Sequence, residues 1–111
     1  MRVISQDGTI DVPYEIGSLT IAVGKYENVE HVVIFCYNYS TSMGTKMAEY
    51  GSKEKAKKAM EMLRIAYENN EFYHHTSNSE HFKEFAKSLS EEMFKKATSE
   101  YFQFPTEEEL E

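Results

Sequence analysis

The side chains with the sharpest chemistry in this sequence are few, and their spacing limits what each can do. His74, His75 and His81 form the only histidine cluster. The pattern is not His-Glu-x-x-His, and two adjacent residues point in different directions from any regular backbone, so a metal site would need ligands from elsewhere. They read as loop residues (His74, His75) and a helix-surface residue (His81). Cys36, the single cysteine, lies inside an apolar run and lacks a neighbouring base, so it reads as a small core residue and not a nucleophile. Asp7 and Asp11 flank a turn signal and read as a turn former and an exposed strand residue. No Gly-x-Ser-x-Gly elbow, phosphate-binding Walker loop or Gly-x-Gly-x-x-Gly turn occurs. The expectation is a protein that is not an enzyme and uses no metal or cofactor.

The aromatic residues carry more information. Eight tyrosines and seven phenylalanines, with no tryptophan, are more ring surface than a chain of 111 residues can readily hide. Tyr37, Tyr39, Phe72, Tyr73, Tyr101, Phe102 and Phe104 in particular are hard to bury together. The surplus implies a recess or an interface: rings stack on bases in a nucleotide pocket, and they also fill the seam of a homo-oligomer. Both uses coincide if a pocket lies between subunits, and a homo-oligomer of at least two copies is expected, since a small domain gains stability by burying surplus rings between subunits.

The elements that must position these residues divide the chain into a strand-rich first half and a helix-rich second half, which predicts an α+β domain over residues 1–105. Asp7-Gly8 between residues 1–6 and 9–14 predicts a hairpin with a two-residue type I′ turn, its second arm ending at Pro13. Leu19, Ile21 and Val23 alternate with smaller or polar residues and predict a half-buried strand. Residues 31–39 are apolar at nearly every position, as in a central strand covered on both faces. A turn at 41–44 and a strand at 45–50 complete about five strands in one antiparallel sheet. Ser52 stands where an N-cap belongs, and Ala56, Ala59, Met60, Leu63, Ala66 and Tyr67 recur at helical spacing, predicting a helix over about 53–69. Residues 71–78 read as a polar linker. Phe82, Phe85, Ala86, Leu89, Met93 and Ala97 predict a second helix over about 79–98, so that two helices cover the sheet. Tyr101 to Phe104, ended by Pro105, reads as a short extended segment, and 106–111 as a flexible acidic tail.

Twelve basic against nineteen acidic residues give a net charge of −7, which argues against direct nucleic-acid binding through phosphate neutralisation. No run of eighteen apolar residues and no basic-then-apolar opening is present, so no membrane contact and a cytoplasmic location are expected.

The opening from Met1 to Glu15, the strand-to-helix joint from Met47 to Leu63 and the ending Phe102-Gln103-Phe104-Pro105 resemble recurrent stretches of small proteins from phages and integrated elements of Gram-positive bacteria. The layout of an antiparallel sheet followed by two helices is also similar to the anti-Thoeris sponge proteins of phages. That resemblance implies an anti-defence accessory protein of the bacterial host cytoplasm, which sequesters a cyclic ADP-ribose-type or cyclic oligonucleotide signal without catalysis, in pockets between subunits. Arg2 and Arg64 would then be the only guanidinium groups for phosphate, with Tyr73, Phe82 and Phe102 as stacking candidates. Two other classes suit the same chain. One is an acidic inhibitor that binds a host defence nuclease as a DNA mimic or anti-CRISPR protein; the other is a small oligomeric adaptor without a ligand.

Overall fold

The computed structural model describes residues 1–38, 44–76 and 100–110. The architecture is α+β, with two three-stranded sheets and one helix among the described residues. Strands β1 (Arg2–Ile4), β2 (Asp11–Pro13), β3 (Gly17–Tyr26), β4 (Val29–Asn38) and β5 (Thr45–Tyr50) precede helix α1 (Lys53–Thr76), and β6 (Tyr101–Gln103) follows it. Five strands do precede residue 51, but they do not form one sheet. The small sheet runs β2-β1-β6 and the large one β3-β4-β5. The break has a local cause. Pro13 ends β2 and supplies no amide donor, and a 3-10 turn over Tyr14–Ile16 redirects the chain before β3 begins. The last segment is a strand, as its aromatic residues suggest, and it joins β1 in parallel, Val3 opposite Phe102.

The first hairpin keeps its expected register, Val3 opposite Val12, yet not its expected turn. Only Gly8 is left-handed there (φ 79°), so the loop is not type I′. The Gly8 N–H donates to the Ser5 carbonyl, and Ser5 and Ile10 close the loop from either side. Asp7 organises it: one carboxylate oxygen accepts from the Ser5 hydroxyl (2.7 Å), the Thr9 hydroxyl (2.7 Å) and the Thr9 N–H (3.1 Å). These bonds, the Ser5 hydroxyl first, hold the Asp7 carboxyl down to about 2. A depressed carboxyl contributes stability that is complete above the ordinary aspartate range near about 4 and is lost as pH falls through its folded value. Acid unfolding followed by circular dichroism is therefore expected to show a flatter slope between about pH 4 and 2 in Asp7→Asn than in the parent.

The type I′ geometry occurs one hairpin later. Glu27 (φ 51°) and Asn28 (φ 65°) are both left-handed between Tyr26 and Val29, which pair at the tip of β3 and β4. A left-handed glutamate is strained, whereas Asn-Gly suits this turn. The double replacement Glu27→Asn with Asn28→Gly is expected to stabilise the fold by about 1 kcal/mol, read as a rise in Tm of a few degrees.

Strand β4 is not covered on both faces. Its even residues Val32, Ile34 and Cys36 are buried, while Val29 and Tyr37 on the other face are 57% and 39% exposed. One face of the large sheet therefore packs and the other meets solvent, as antiparallel sheets permit. On the packed face lies α1, with Ala56, Ala59 and Leu63 buried against Val32, Ile34, Met47 and Tyr50. Ser52 caps the helix as expected, its hydroxyl accepting from Lys55 N–H at 3.2 Å. The helix then runs through residues 71–76, expected as a linker. No glycine or proline interrupts the chain there, and buried Asn70 continues the inward face set by Leu63. His74 and His75 thus lie on α1. The second helix expected at 79–98 lies outside the described residues.

The two sheets are stitched by polar contacts as well as by the core. The Gln6 amide accepts from the Glu49 N–H (3.1 Å) and donates to the carbonyls of Glu49 and Pro105 (3.2 and 3.1 Å), joining β5 to the segments that follow β1 and β6. Tyr50 donates its buried hydroxyl to the Pro105 carbonyl at 2.7 Å. Residues 106–110, expected as a tail, instead turn onto the body through a 3-10 turn at Glu108–Leu110, and Leu110 is 6% exposed.

Candidate functional site

The residues nominated for phosphate and base do not converge. Arg2 stands on β1 and donates from Nε to Asp11 on the neighbouring strand at 2.7 Å. Arg64 lies on the exposed side of α1, where its guanidinium meets Glu68 at 2.9 Å and Glu61 at 3.4 Å. Each arginine is thus matched by carboxylates of its own element or neighbour, and the Arg64 cluster carries a local charge of one excess negative. Phe102 sits on β6, edge-on to Phe104 with ring centres 5.5 Å apart. Tyr73 is on α1 with its side chain outside the described atoms, and Phe82 lies outside the described residues.

Two recesses flank α1. One, of about 370 Å³, lies beside β6 and is lined by Met62, Ile65, Ala66 and Asn69 of the helix together with Tyr101, Phe102 and Gln103. The other, of about 570 Å³, lies between α1 and strand β3 and is lined by Tyr14, Gly17, Leu19, Met60, Glu61, Leu63 and Arg64. Arg64 and Phe102 therefore belong to different recesses. The larger recess has an apolar floor of Leu19, Met60 and Leu63 and a charged rim of Glu61 and Arg64. At one end Tyr14 stacks on Tyr67, ring centres 4.2 Å apart, and so ties the 3-10 turn to the helix.

Strand β3 gives this groove its character. Among the described residues it pairs with β4 alone, from Gly17 opposite Asn38 to Tyr26 opposite Val29, and no described strand pairs with its other side over these ten residues. Leu19, Ile21 and Val23 face the packed side, with Leu19 and Ile21 half-buried and Val23 50% exposed. Gly17 is fixed by packing: a Cβ there would come within 2.8 Å of the Cys36 sulfur and 3.2 Å of the Tyr37 carbonyl. Burial pushes the Cys36 thiol up, consistent with a core side chain. The Leu19-Ile21-Val23 alternation in the sequence marks the inward face, but no sequence signal shows that the outer edge has no partner among the described strands. Tyr14 carries no sequence signal for its stack on Tyr67.

On the solvent face of the large sheet, Phe35 and Tyr37 lie 6.3 Å apart, and the Glu49 carboxylate joins Lys46 (3.0 Å) and His31 (3.1 Å). Lys46 first, then His31, holds the Glu49 carboxyl below its usual range. No group of three or more histidine, cysteine or acidic side chains placed to hold a metal occurs among the described residues, and no described helix is long and apolar enough to cross a membrane. No family model, curated protein or solved structure matches this chain.

Proposed function

We propose that the protein is a binding module without catalytic activity, an adaptor that takes up an extended polypeptide along the open edge of β3. One observation carries the reading: the outer edge of β3, which no described strand pairs, borders at its Gly17–Leu19 end an apolar-floored groove of about 570 Å³. Strand addition of this kind draws affinity from main-chain hydrogen bonds and specificity from alternate side chains that dip into the groove. Leu19, Met60 and Leu63 favour an apolar side chain there. The excess negative charge around Arg64 favours a basic neighbour and disfavours a phosphate, which is why the groove supports a polypeptide ahead of a nucleotide.

Panning a random ten-residue peptide library against the immobilised protein tests this. Enriched peptides are expected to alternate apolar residues and carry a lysine or arginine, and to lose binding to Val23→Asp. A selection that enriches nothing sensitive to β3 would remove the reading.

A second reading, non-catalytic capture of a nucleotide-derived signal by a phage accessory protein, is favoured by the other recess, where Phe102 and Tyr101 border the amides of Asn69 and Gln103. Rings with amide donors and acceptors suit a base. Thermal shift with cyclic dinucleotides, cyclic trinucleotides and cyclic ADP-ribose isomers is expected to raise Tm by a few degrees with one member, and an unchanged Tm across the panel would sink this reading.

A further inference from the structure

Resting on the strand-addition reading, we infer that the polypeptide seated along β3 is the β3 strand of a second copy of this chain, paired antiparallel about a twofold axis at Ile21. The geometry of β3 selects both the partner and the register. Its packed face carries Gly17, Leu19, Ile21, Val23 and Lys25, and pairing that keeps apolar side chains on that face must match odd residues with odd residues.

Pairing about Ile21 uses nearly the full strand. It sets Ile21 opposite Ile21 of the second copy, Leu19 opposite Val23, Thr20 opposite Ala22, and Gly17 opposite Lys25. Val23, half-exposed in one copy, then covers Leu19 of the other at the mouth of the groove. Lys25 arrives beside Gly17, where Glu61 lies on the same groove rim. Charge is thus matched at both symmetric ends, and no like charges oppose each other within the paired strands. Shifting the axis to Ala22 sets Lys25 opposite Leu19, burying charge against the apolar floor, so the Ile21 axis is preferred. The result is one continuous six-stranded sheet that removes the exposed edge of each copy.

Sedimentation of the full chain reads the assembly directly. The expected species has twice the 12.9 kDa chain mass. Val23→Asp and Lys25→Glu are each expected to sediment as monomers with an unchanged circular dichroism spectrum, both positions being exposed. Combining Lys25→Glu with Glu61→Lys is expected to restore the dimer. Register is read by Ile21→Cys, which should form an intermolecular disulfide in air because paired strands hold facing Cα atoms about 4.5–5.5 Å apart, whereas Thr20→Cys, opposite Ala22, should not. A parent protein that is monomeric at every concentration would overturn the second copy as partner, while β3-dependent peptide enrichment would leave the strand-addition reading standing. A dimer indifferent to Val23→Asp, a charge exchange that fails to restore assembly, or cross-linking through Thr20→Cys and not Ile21→Cys would equally overturn the proposal.

Discussion

Replacing Phe104 by alanine is expected to destabilise the protein by about 3–5 kcal/mol, as large-to-small changes at fully buried aromatic positions do. Phe104 is 1% exposed and belongs to the same core as Val3, Tyr50 and Leu63. Its N–H donates to the Ile4 carbonyl at 3.1 Å, so the residue continues the β1-β6 pairing while its ring enters the core between the two sheets. The loss therefore falls where the small sheet meets the large one. A domain of this size holds a total stability of roughly 5–15 kcal/mol, so the variant is expected to be marginal at room temperature. Urea unfolding checks it: the midpoint should fall steeply with little change in slope, whereas Val29→Ala, on the exposed hairpin tip, should stay within about 0.5 kcal/mol of the parent. Equal effects from the two changes would contradict the placement of the core.

The core residues were legible in the sequence because periodicity reports burial directly. Ala56, Ala59 and Leu63 stand on the inward face of α1 as their spacing predicts, whereas β4, apolar at nearly every position and expected to be covered on both faces, buries its even residues and exposes Val29 and Tyr37. What periodicity does not report is pairing. Five strand-like segments in a row fit one sheet or two, and the division depends on Pro13 and a 3-10 turn whose residues, Tyr14 to Ile16, carry no sharp breaker signal. Turn chemistry misled for a similar reason. Asp7-Gly8 is the stronger type I′ signal, but the side chain of Asp7 collects three hydrogen bonds that a tighter turn would forgo, and the left-handed pair sits at the unremarkable Glu27-Asn28.

The site was less legible still. Arg2 and Arg64 are the sequence's two guanidinium groups, yet a guanidinium engaged by Asp11, or by Glu61 and Glu68, has already met its anion. Those partners come from a neighbouring strand in one case and from helical i−3 and i+4 positions in the other. The helical pair can be read from spacing alone. The groove beside β3 cannot, because it lies between α1 and a strand whose outer side no described strand pairs, and neither placement is a local property of sequence.

Truncation after Thr106 separates a packed C-terminus from a solvated acidic one by the sign of its effect. Residues 107–111 contain four of the carboxylates that make the net charge −7, so removing a solvated tail would relieve self-repulsion and leave stability equal or higher. The structure places Leu110 in the core, 6% exposed, and burial of a leucine side chain is worth about 2 kcal/mol. Glu107 adds to this in the same direction. Its carboxylate accepts from the Gly51 N–H at 2.8 Å and from Lys55 at 3.3 Å, at the start of α1, and those two contacts, the backbone one first, hold its carboxyl below the usual range. The truncated chain is therefore expected to unfold at a lower urea concentration, and Leu110→Ala alone to reproduce most of the shift. Glu107→Gln should act in full at neutral pH and above: a depressed carboxyl stabilises above its ordinary titration range and stops doing so as acid protonates it, so the gap between Glu107→Gln and the parent should close as pH falls. Because the same carboxylate bridges the β5-α1 joint, its loss should also speed amide exchange at Gly51, measured by hydrogen exchange, while leaving the midstrand amides of β4 protected.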